Sequence, residues 1–174
     1  ELARFVAHAR ERGRPVAAHC HGTDGIRNAA LARVRTIEHC SFAGEGGFGA
    51  DLDPTVVELV ARSGAWVSPT VNAGWGRRAL DEGRPSAFFE RMAAVQRALV
   101  AAGVPIVAST DAGIPGVEHH RLADGLVALA DYSGLSNEQV LRAATCDAAR
   151  ALGLDAETGR IEPGLAADLV VVAD

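Results

Sequence analysis

Lysine is absent from the chain, and all 17 basic residues are arginine. Aromatic residues are scarce, at 5%, which leaves too few rings for the stacking surface that binds single-stranded nucleic acid. The net charge is −5 and no basic cluster is present, so neither nucleic acid nor an anionic membrane is an expected partner. No apolar run is long enough to span a bilayer. We expect a small-molecule substrate instead.

Cysteine is limited to Cys20, Cys40 and Cys146, an odd number with no CxxC spacing. That pattern excludes a disulfide framework and indicates a reduced, cytoplasmic protein, in which Cys20 and Cys40 are packing residues. The sequence also lacks GxGxxG and GxxxxGK[ST], so neither a dinucleotide site nor a P-loop is predicted. The chain begins at Glu1 without methionine, inside a predicted helix, and we expect a fragment of a longer protein.

Short apolar runs alternate with helical patterns along the chain. This alternation predicts an α/β fold with a parallel sheet and right-handed crossovers. The four predicted strand–helix units amount to half of an eight-fold barrel. A long polar loop is predicted over residues 71–85, and one helix is predicted from Ser136 towards Leu152. The predicted strands are residues 15–22, 35–40, 66–70 and 106–108, with a terminal strand at residues 169–172.

Three of these strands deliver a metal-binding side chain at or just beyond their carboxyl ends: His19, His39 and Asp111. The carboxyl ends of neighbouring parallel strands share one rim, where active sites of α/β barrels lie. Imidazole and carboxylate together suit Zn, Mn or Fe better than Ca or Mg. The structural alternatives are a hydrogen-bonded histidine at each strand end and a helix-capping role for Asp111.

Further candidates lie near the same rim. His21 is two residues from His19 and faces the same side of a strand, so it is either a ligand or a substrate contact. His119, after the fourth strand, is a substrate contact or a surface residue. Arg77, in the long loop, could bind a substrate carboxylate or face solvent. Glu38 is expected to face the surrounding helices, opposite to His39.

The segments AAHCHG (17–22), TIEHC (36–40) and STDAG (109–113) resemble the strand-five, strand-six and strand-eight signatures of the metal-dependent amidohydrolase superfamily. The resemblance is closest to its imidazolonepropionase-like and Xaa-Pro dipeptidase-like branch. Residues 143–172 are similar to the family's C-terminal end. Together these matches cover essentially the whole chain.

The resemblance implies the C-terminal half of a TIM (β/α)8 barrel over residues 1–155, followed by a tail, 156–174, that returns to a small β-sandwich domain. It implies that His19, His39 and Asp111 bind one or two divalent ions, most commonly Zn, with Mn or Fe as alternatives. Asp111 would also carry the proton, and, if the site resembles the one-metal members, His39 would instead contact the water or substrate. The implied reaction is hydrolysis of an amide, peptide-like or cyclic amide C–N bond by a metal-activated water.

Two parts of the family pattern are missing: the strand-one HxH pair and the strand-four residue that bridges the metals, often a carboxylated lysine. We therefore expect the isolated chain to bind metal weakly, to be inactive, and to require its missing N-terminal half or a second copy. The alternatives are a non-catalytic α/β binding or assembly module without a metal and an unrelated doubly wound binding protein. The enzyme fragment and the half-barrel module both predict that His19, His39 and Asp111 converge. The unrelated doubly wound protein does not require these residues to converge.

Overall fold

The computed structural model describes residues 1–172 and has an α/β architecture around a parallel sheet, as the alternation predicts. Strand order in the sheet is β1-β2-β3. The strands are β1 (Ala17–Gly22), β2 (Thr36–Ala43) and β3 (Trp66–Ser68), and Leu80–Asp81 (β4) and Arg84–Pro85 (β5) form a separate small hairpin. The helices are α1 (Leu2–Glu11), α2 (Thr23–Ala32), α3 (Pro54–Ser63), α4 (Ala73–Arg77), α5 (Ala87–Ala101), α6 (Leu122–Ser133), α7 (Asn137–Ala144) and α8 (Cys146–Leu152).

Local capping chemistry explains where several helices begin. The Asp53 carboxylate accepts the Thr55 N–H (2.8 Å), and Pro54 occupies the first turn of α3. The Ser86 hydroxyl accepts the Phe89 N–H (3.0 Å) at the start of α5. Ser136 opens α7 with the reciprocal capping box that the sequence predicts. The residues at which these three helices begin are therefore determined by their immediate neighbours in the sequence.

The sheet has one face covered by helices and one more open face. In the parallel register Ile37 lies beside Ala18 and Val67, and Ile37 and Val67 are fully buried. Glu38 lies beside His19 and Ser68, on the opposite face. The prediction that Glu38 faces the helices is therefore wrong, because adjacent residues in parallel register share a face.

The fourth predicted strand is reduced to a single parallel bridge between Val67 and Ile106. The Val67 N–H donates to the Pro105 carbonyl (2.9 Å), and the Val107 N–H donates to the Val67 carbonyl (2.8 Å). The next N–H, of Ala108, donates instead to Ala143 in α7 (3.0 Å), so the ladder stops. The segment still runs alongside β3, which brings the residues after it to the rim.

The predicted terminal strand is also wrong over the residues described. Residues 169–172 have no strand conformation, and the Leu169, Val170, Val171 and Val172 side chains are 61–95% exposed. A strand needs a hydrogen-bonding neighbour, and the described part of the chain supplies none for this apolar run.

Two further corrections concern helices. The predicted loop at 71–85 contains two elements, α4 and the β4–β5 hairpin. Helix α4 begins where the Asn72 side chain accepts the Gly74 N–H (2.9 Å). The predicted helix from Ser136 is divided into α7 and α8 at Thr145, whose backbone leaves the helical region (φ −125°, ψ −96°).

Within residues 1–172, none of the helices has both the length and the apolarity needed to cross a bilayer.

Candidate functional site

Three imidazoles meet at the carboxyl end of the sheet. His19 and His21 lie two residues apart on β1, and His39 lies on the neighbouring β2. One potential ligand atom from each ring lies within 4.8 Å of the others. His39 Nε2 is 3.0 Å from His19 Nδ1. The predicted pair His19 and His39 therefore converges, and His21 joins the same cluster.

His39 reaches this cluster through an unusual backbone. Its Cα partner in the register is Cys20, a buried residue that contacts α2 near Gly25. Regular alternation would therefore point the His39 ring away from His19. Both His39 (φ 67°) and Cys40 (φ 47°) have left-handed backbones, which breaks the alternation. The strand continues past the predicted end at residue 40 to Ala43, with the His39 side chain at the rim.

Hydroxyl groups hold two of the rings from behind. Nδ1 of His39 is hydrogen bonded to Oγ1 of Thr70 (2.9 Å), and Nδ1 of His21 is hydrogen bonded to Oγ of Ser41 (2.9 Å). The Phe48 ring stacks on His21 with 4.9 Å between centroids and 12° between planes. With Nδ1 so engaged, the His39 ring directs Nε2 at Nδ1 of His19 (3.0 Å), inside the three-histidine cluster.

The electrostatics of the cluster favour neutral imidazole. Partial burial is the main cause of the lowered pKa of His21, followed by the neighbouring His39 and His19 rings. Burial and His19 likewise lower the pKa of His39, and the Asp111 carboxylate opposes both shifts. Neutral imidazole is the form that binds metal ions, so the environment of these rings suits a metal ligand.

Asp111 lies at the same rim without joining the group of mutually close ligand atoms. It is exposed, has a left-handed backbone (φ 56°), and lines a cleft of about 380 Å³ together with His21 and His39. The structure therefore brings Asp111 to the lining of the cleft with His21 and His39, whereas the three histidines are in direct proximity.

The two other predicted substrate contacts have different positions. Arg77 lines the cleft at the end of α4. His119 begins a 3-10 turn, His119–Arg121, and its ring lies against Gly113, 3.5 Å from where a Cβ on that residue would stand. The lining of the cleft, as far as residues 1–172 show it, does not include His119.

An aromatic cluster positions α4 beside the cleft. The Tyr132 hydroxyl donates to the Trp75 carbonyl (2.9 Å), and burial raises the pKa of Tyr132 to about 12. The Trp75 ring packs edge-on against Tyr132 and Phe88, with centroids 4.9 and 5.2 Å apart. The Arg78 guanidinium lies 3.6 Å above the Phe88 ring. Arg77 is thereby carried on a short helix that is packed against α6.

Residues 1–174 match the amidohydrolase family. The chain belongs to this family. It is 26% identical over 175 residues to the ochratoxinase of Aspergillus niger, covering 100% of this chain and 35% of that protein. It is 29% identical over 180 residues to the imidazolonepropionase of Agrobacterium fabrum, covering 98% of this chain and 37% of that protein. The chain thus spans little more than a third of each relative.

Solved structures of this family have the same fold. The crystal structure of A. niger ochratoxinase superposes with a TM-score of 0.72 at 26% identity, over 97% of this chain and 37% of that one. A Xaa-Pro dipeptidase with bound methionine in its active site superposes with a TM-score of 0.75 at 24% identity, over 96% and 41% of the two chains. The predicted resemblance to the amidohydrolases is confirmed.

Sequence reasoning missed the residues that surround the three imidazoles of this amidohydrolase chain. Thr70 is the last residue of the predicted strand 66–70, at the same rim as His39, a position that could have marked it. Ser41 follows TIEHC within β2 and is 3% exposed. Phe48 lies in the glycine-rich loop 44–49, and no pattern in that loop predicts its contact with His21.

The cysteines of the amidohydrolase chain have the packing role that was predicted for them. Cys20 and Cys40 are both buried, with Cys40 fully inaccessible. Burial raises the pKa of both thiols, so they stay protonated near neutral pH. Protonated, enclosed thiols are poor nucleophiles, which agrees with a packing role for Cys20 and Cys40.

The donor set of the amidohydrolase cluster fits a divalent transition metal. Three imidazole nitrogens with one open position are a ligand set found in catalytic zinc sites. Calcium and magnesium prefer oxygen ligands, which this cluster does not offer among its three close atoms. The nearby carboxylate of Asp111 is a potential additional contact or proton carrier across the cleft.

Proposed function

We propose that this chain carries part of the active site of a metal-dependent hydrolase that cleaves an amide, peptide-like or cyclic amide C–N bond. The observation that carries the proposal is the convergence of His19, His21 and His39 beside Asp111 at the carboxyl ends of parallel strands. The family to which the chain belongs, and the position of the cluster at the edge where α/β barrels hold their active sites, support it.

In this proposal His19, His21 and His39 hold the ion, with Zn the best match to imidazole and Mn or Fe as alternatives. When bound, such an ion polarises the substrate carbonyl and makes water a stronger nucleophile at neutral pH. Asp111, across the cleft, accepts a proton from the attacking water and delivers it to the nitrogen of the leaving group. Its position outside the three-histidine cluster favours this proton-carrying role.

The substrate in this proposal is a small molecule with a carboxylate near the scissile bond. The cleft of about 380 Å³ has Arg77 on one wall and the aromatic rings of Trp75 and Phe48 on others. A guanidinium binds a carboxylate through two parallel hydrogen bonds, while the rings accept an apolar side chain. Residue His119 lies on the exposed turn near Gly113, where it could contact the outer end of a longer substrate.

Metal content and hydrolysis by the full-length parent protein test the mechanism. We expect one or two transition-metal ions per chain, and turnover of a panel of dipeptides, N-acyl amino acids and cyclic amides. His39→Asn should lower metal content, while Asp111→Asn should leave the fold intact and lower kcat by about 100-fold or more, the contribution typical of a general acid–base group. Asp131→Asn on the exposed end of α6 is the control. A metal-free parent that is indifferent to both changes would indicate the binding module instead.

The same panel tests Arg77. Arg77→Met should raise KM for substrates with a free carboxylate and leave KM unchanged for their amidated counterparts, because only the former lose a charge-assisted hydrogen bond. Arg62→Met, on the exposed surface of α3, removes an arginine far from the rim and serves as the control. An equal rise in KM for both classes would contradict carboxylate binding by Arg77.

We also propose how this segment fits its parent. Strands β1 to β3 and the bridged segment at Ile106 would form the second half of a barrel, comprising residues 1–155 and completed by an N-terminal half or a second copy. In the tail formed by residues 156–174, the exposed apolar residues 169–172 would then dock on a small β-sandwich domain. The free cysteines agree with a reduced, cytoplasmic setting.

A further inference from the structure

Thr70 has a backbone conformation that its side chain disfavours. Its φ is 55°, in the left-handed region, which is a genuine outlier for a β-branched residue. Strained residues of this kind persist only where the surrounding structure holds them, and they concentrate at functional sites. His39 and Asp111, at the other strand ends of the rim, have the same left-handed conformation. Thr70 therefore shares a feature with the two residues predicted to be catalytic.

Hydrogen bonds hold Thr70 in this conformation from the side of the fourth segment. The Thr70 N–H donates to Oγ of Ser109 (3.1 Å), and the hydroxyls of Ser109 and Ser68 share a hydrogen bond (2.8 Å). The Asn72 side-chain amide donates to the carbonyls of both Thr70 (3.4 Å) and Thr110 (3.3 Å). Thr70 is thus tied to the two residues that immediately precede Asp111.

On its other side the Thr70 hydroxyl contacts His39. Oγ1 of Thr70 is 2.9 Å from Nδ1 of His39, while Nε2 of that ring points to His19 (3.0 Å). If Nδ1 carries the proton and donates to Thr70, the lone pair of Nε2 faces His19 within the three-histidine cluster. Partners of this kind behind a metal-binding imidazole set both its orientation and its tautomer.

We propose that Thr70 is a positioning residue that fixes the orientation and tautomer of His39, and that the hydroxyls of Ser68, Ser109 and Thr70 couple this ring to the Asp111 segment. The inference rests on the proposed function of the site. It assigns to Thr70, on the wall of the cleft, a role exerted through the His39 ring, and it explains why a β-branched residue is held at a positive φ.

The test uses the full-length parent protein in metal-free and zinc-titrated forms. Thr70→Val keeps the shape and removes the hydroxyl, Thr70→Ser keeps the hydroxyl, and Thr145→Val removes an exposed hydroxyl between α7 and α8 as the control. Two quantities are measured: the tautomer of His39, from ring ¹⁵N chemical shifts of the metal-free protein, and the zinc Kd, by competition with a chelator.

We expect Thr70→Val to convert His39 to a mixture of tautomers and to weaken zinc binding by about 10- to 100-fold, the usual effect of losing such a partner. Thr70→Ser should restore the wild-type tautomer and bring Kd to within about threefold of wild type, and Thr145→Val should change neither. A Thr70→Val protein with the wild-type tautomer and Kd would overturn the inference.

A second variant, Ser109→Ala, keeps the Thr70 hydroxyl and removes the group that accepts the Thr70 N–H and bonds the Ser68 hydroxyl. It should shift the tautomer and Kd in the same direction but less, and wild-type values for both would refute the coupling to the Asp111 segment. Ser109→Ala also tests the positioning role of Thr70 if the Thr70→Val protein does not fold. Should the parent bind no zinc at all, the proposed function fails, while the His39 tautomer of the metal-free variants still tests Thr70.

Discussion

At the scale of single residues, the site depends on backbone conformations that most side chains avoid. His39, Thr70 and Asp111 each have a positive φ, and each lies in or just after a different strand or strand-like segment that leads to the rim. Each such conformation costs on the order of 1–3 kcal/mol. The hydrogen bonds of His39 with Thr70, and of Thr70 with Ser109, offset part of that cost. Histidine spacing could be seen in the sequence, whereas these conformations could not.

Asp53 allows a prediction of pH dependence at the same scale. Its hydrogen bonds from Thr55, and then its contact with Arg27 (2.9 Å), hold the pKa of its carboxyl below the ordinary value of 3.8. Because the folded pKa is lower than the unfolded one, the Asp53 contribution to stability is fully present above the unfolded pKa and is lost as pH falls through the folded pKa.

Asp53→Asn keeps a good N-cap and removes the charge. We expect this variant of the parent protein to be less stable than wild type at pH 7, and the difference to be smaller at pH 3, measured by urea unfolding at both pH values. Asp81→Asn, in the exposed hairpin, is the control for loss of charge alone. A difference that stays constant between the two pH values would contradict the prediction.

At the scale of elements, α6 approaches the rim closely because Gly125 has no side chain. A Cβ on Gly125 would lie 2.7 Å from the Val71 carbonyl oxygen and 3.1 Å from Cγ2 of Thr110. Backbone cannot yield as a flexible side chain can, so an added methyl group must displace the helix. The packing of α6 thus bears directly on the chain segments that follow β3 and precede Asp111.

Gly125→Ala sets helix propensity against packing. Alanine favours a helix by about 1 kcal/mol over glycine, whereas overpacking typically costs about 1–3 kcal/mol. We expect a net decrease in the free energy of unfolding, with lower kcat as Thr110 moves. Gly76→Ala, in α4 with no atom within 4 Å of the added Cβ, should be neutral or stabilising. The Tm of both variants, measured by thermal unfolding, tests this prediction. An increase in Tm for Gly125→Ala would refute the close-packing argument.

At the scale of the whole molecule, the sheet has an open edge. The outer side of β1 has no strand partner among the residues described, and a groove beside it exposes Phe5 and Leu31, each 62% accessible. Unpaired strand edges and exposed apolar side chains promote association with another chain or segment. The chain spans 35% of the length of the A. niger ochratoxinase.

We therefore expect the isolated 174-residue chain to associate, to bind zinc weakly and to show no turnover. Light scattering after size-exclusion chromatography and metal analysis test this, with the full-length parent measured alongside. Leu31→Glu should reduce the association of the isolated chain, and Leu152→Glu, an equally drastic change at an exposed site on α8, should reduce it less. A monomeric chain with measurable hydrolysis would show that this segment is sufficient.

The sequence by itself determined what neighbouring residues decide: the alternation of strands and helices, the caps at Asp53, Ser86 and Ser136, and the shared side of His19 and His21 on one strand. It also carried enough of the family pattern for the amidohydrolase relationship to be recognised. These features follow from local chemistry and from residue spacing, which a linear sequence displays directly.

Only the tertiary structure decided which side Glu38 faces, how little of the fourth segment pairs with β3, and that Thr70 and Phe48 hold the imidazoles. It also decided that His39 turns against its own strand alternation to join His19. Each of these depends on contacts between residues twenty or more positions apart or on a strained backbone that those contacts stabilise. The free energy of these long-range contacts cannot be read from a local sequence pattern, so only the three-dimensional structure shows the assembled site.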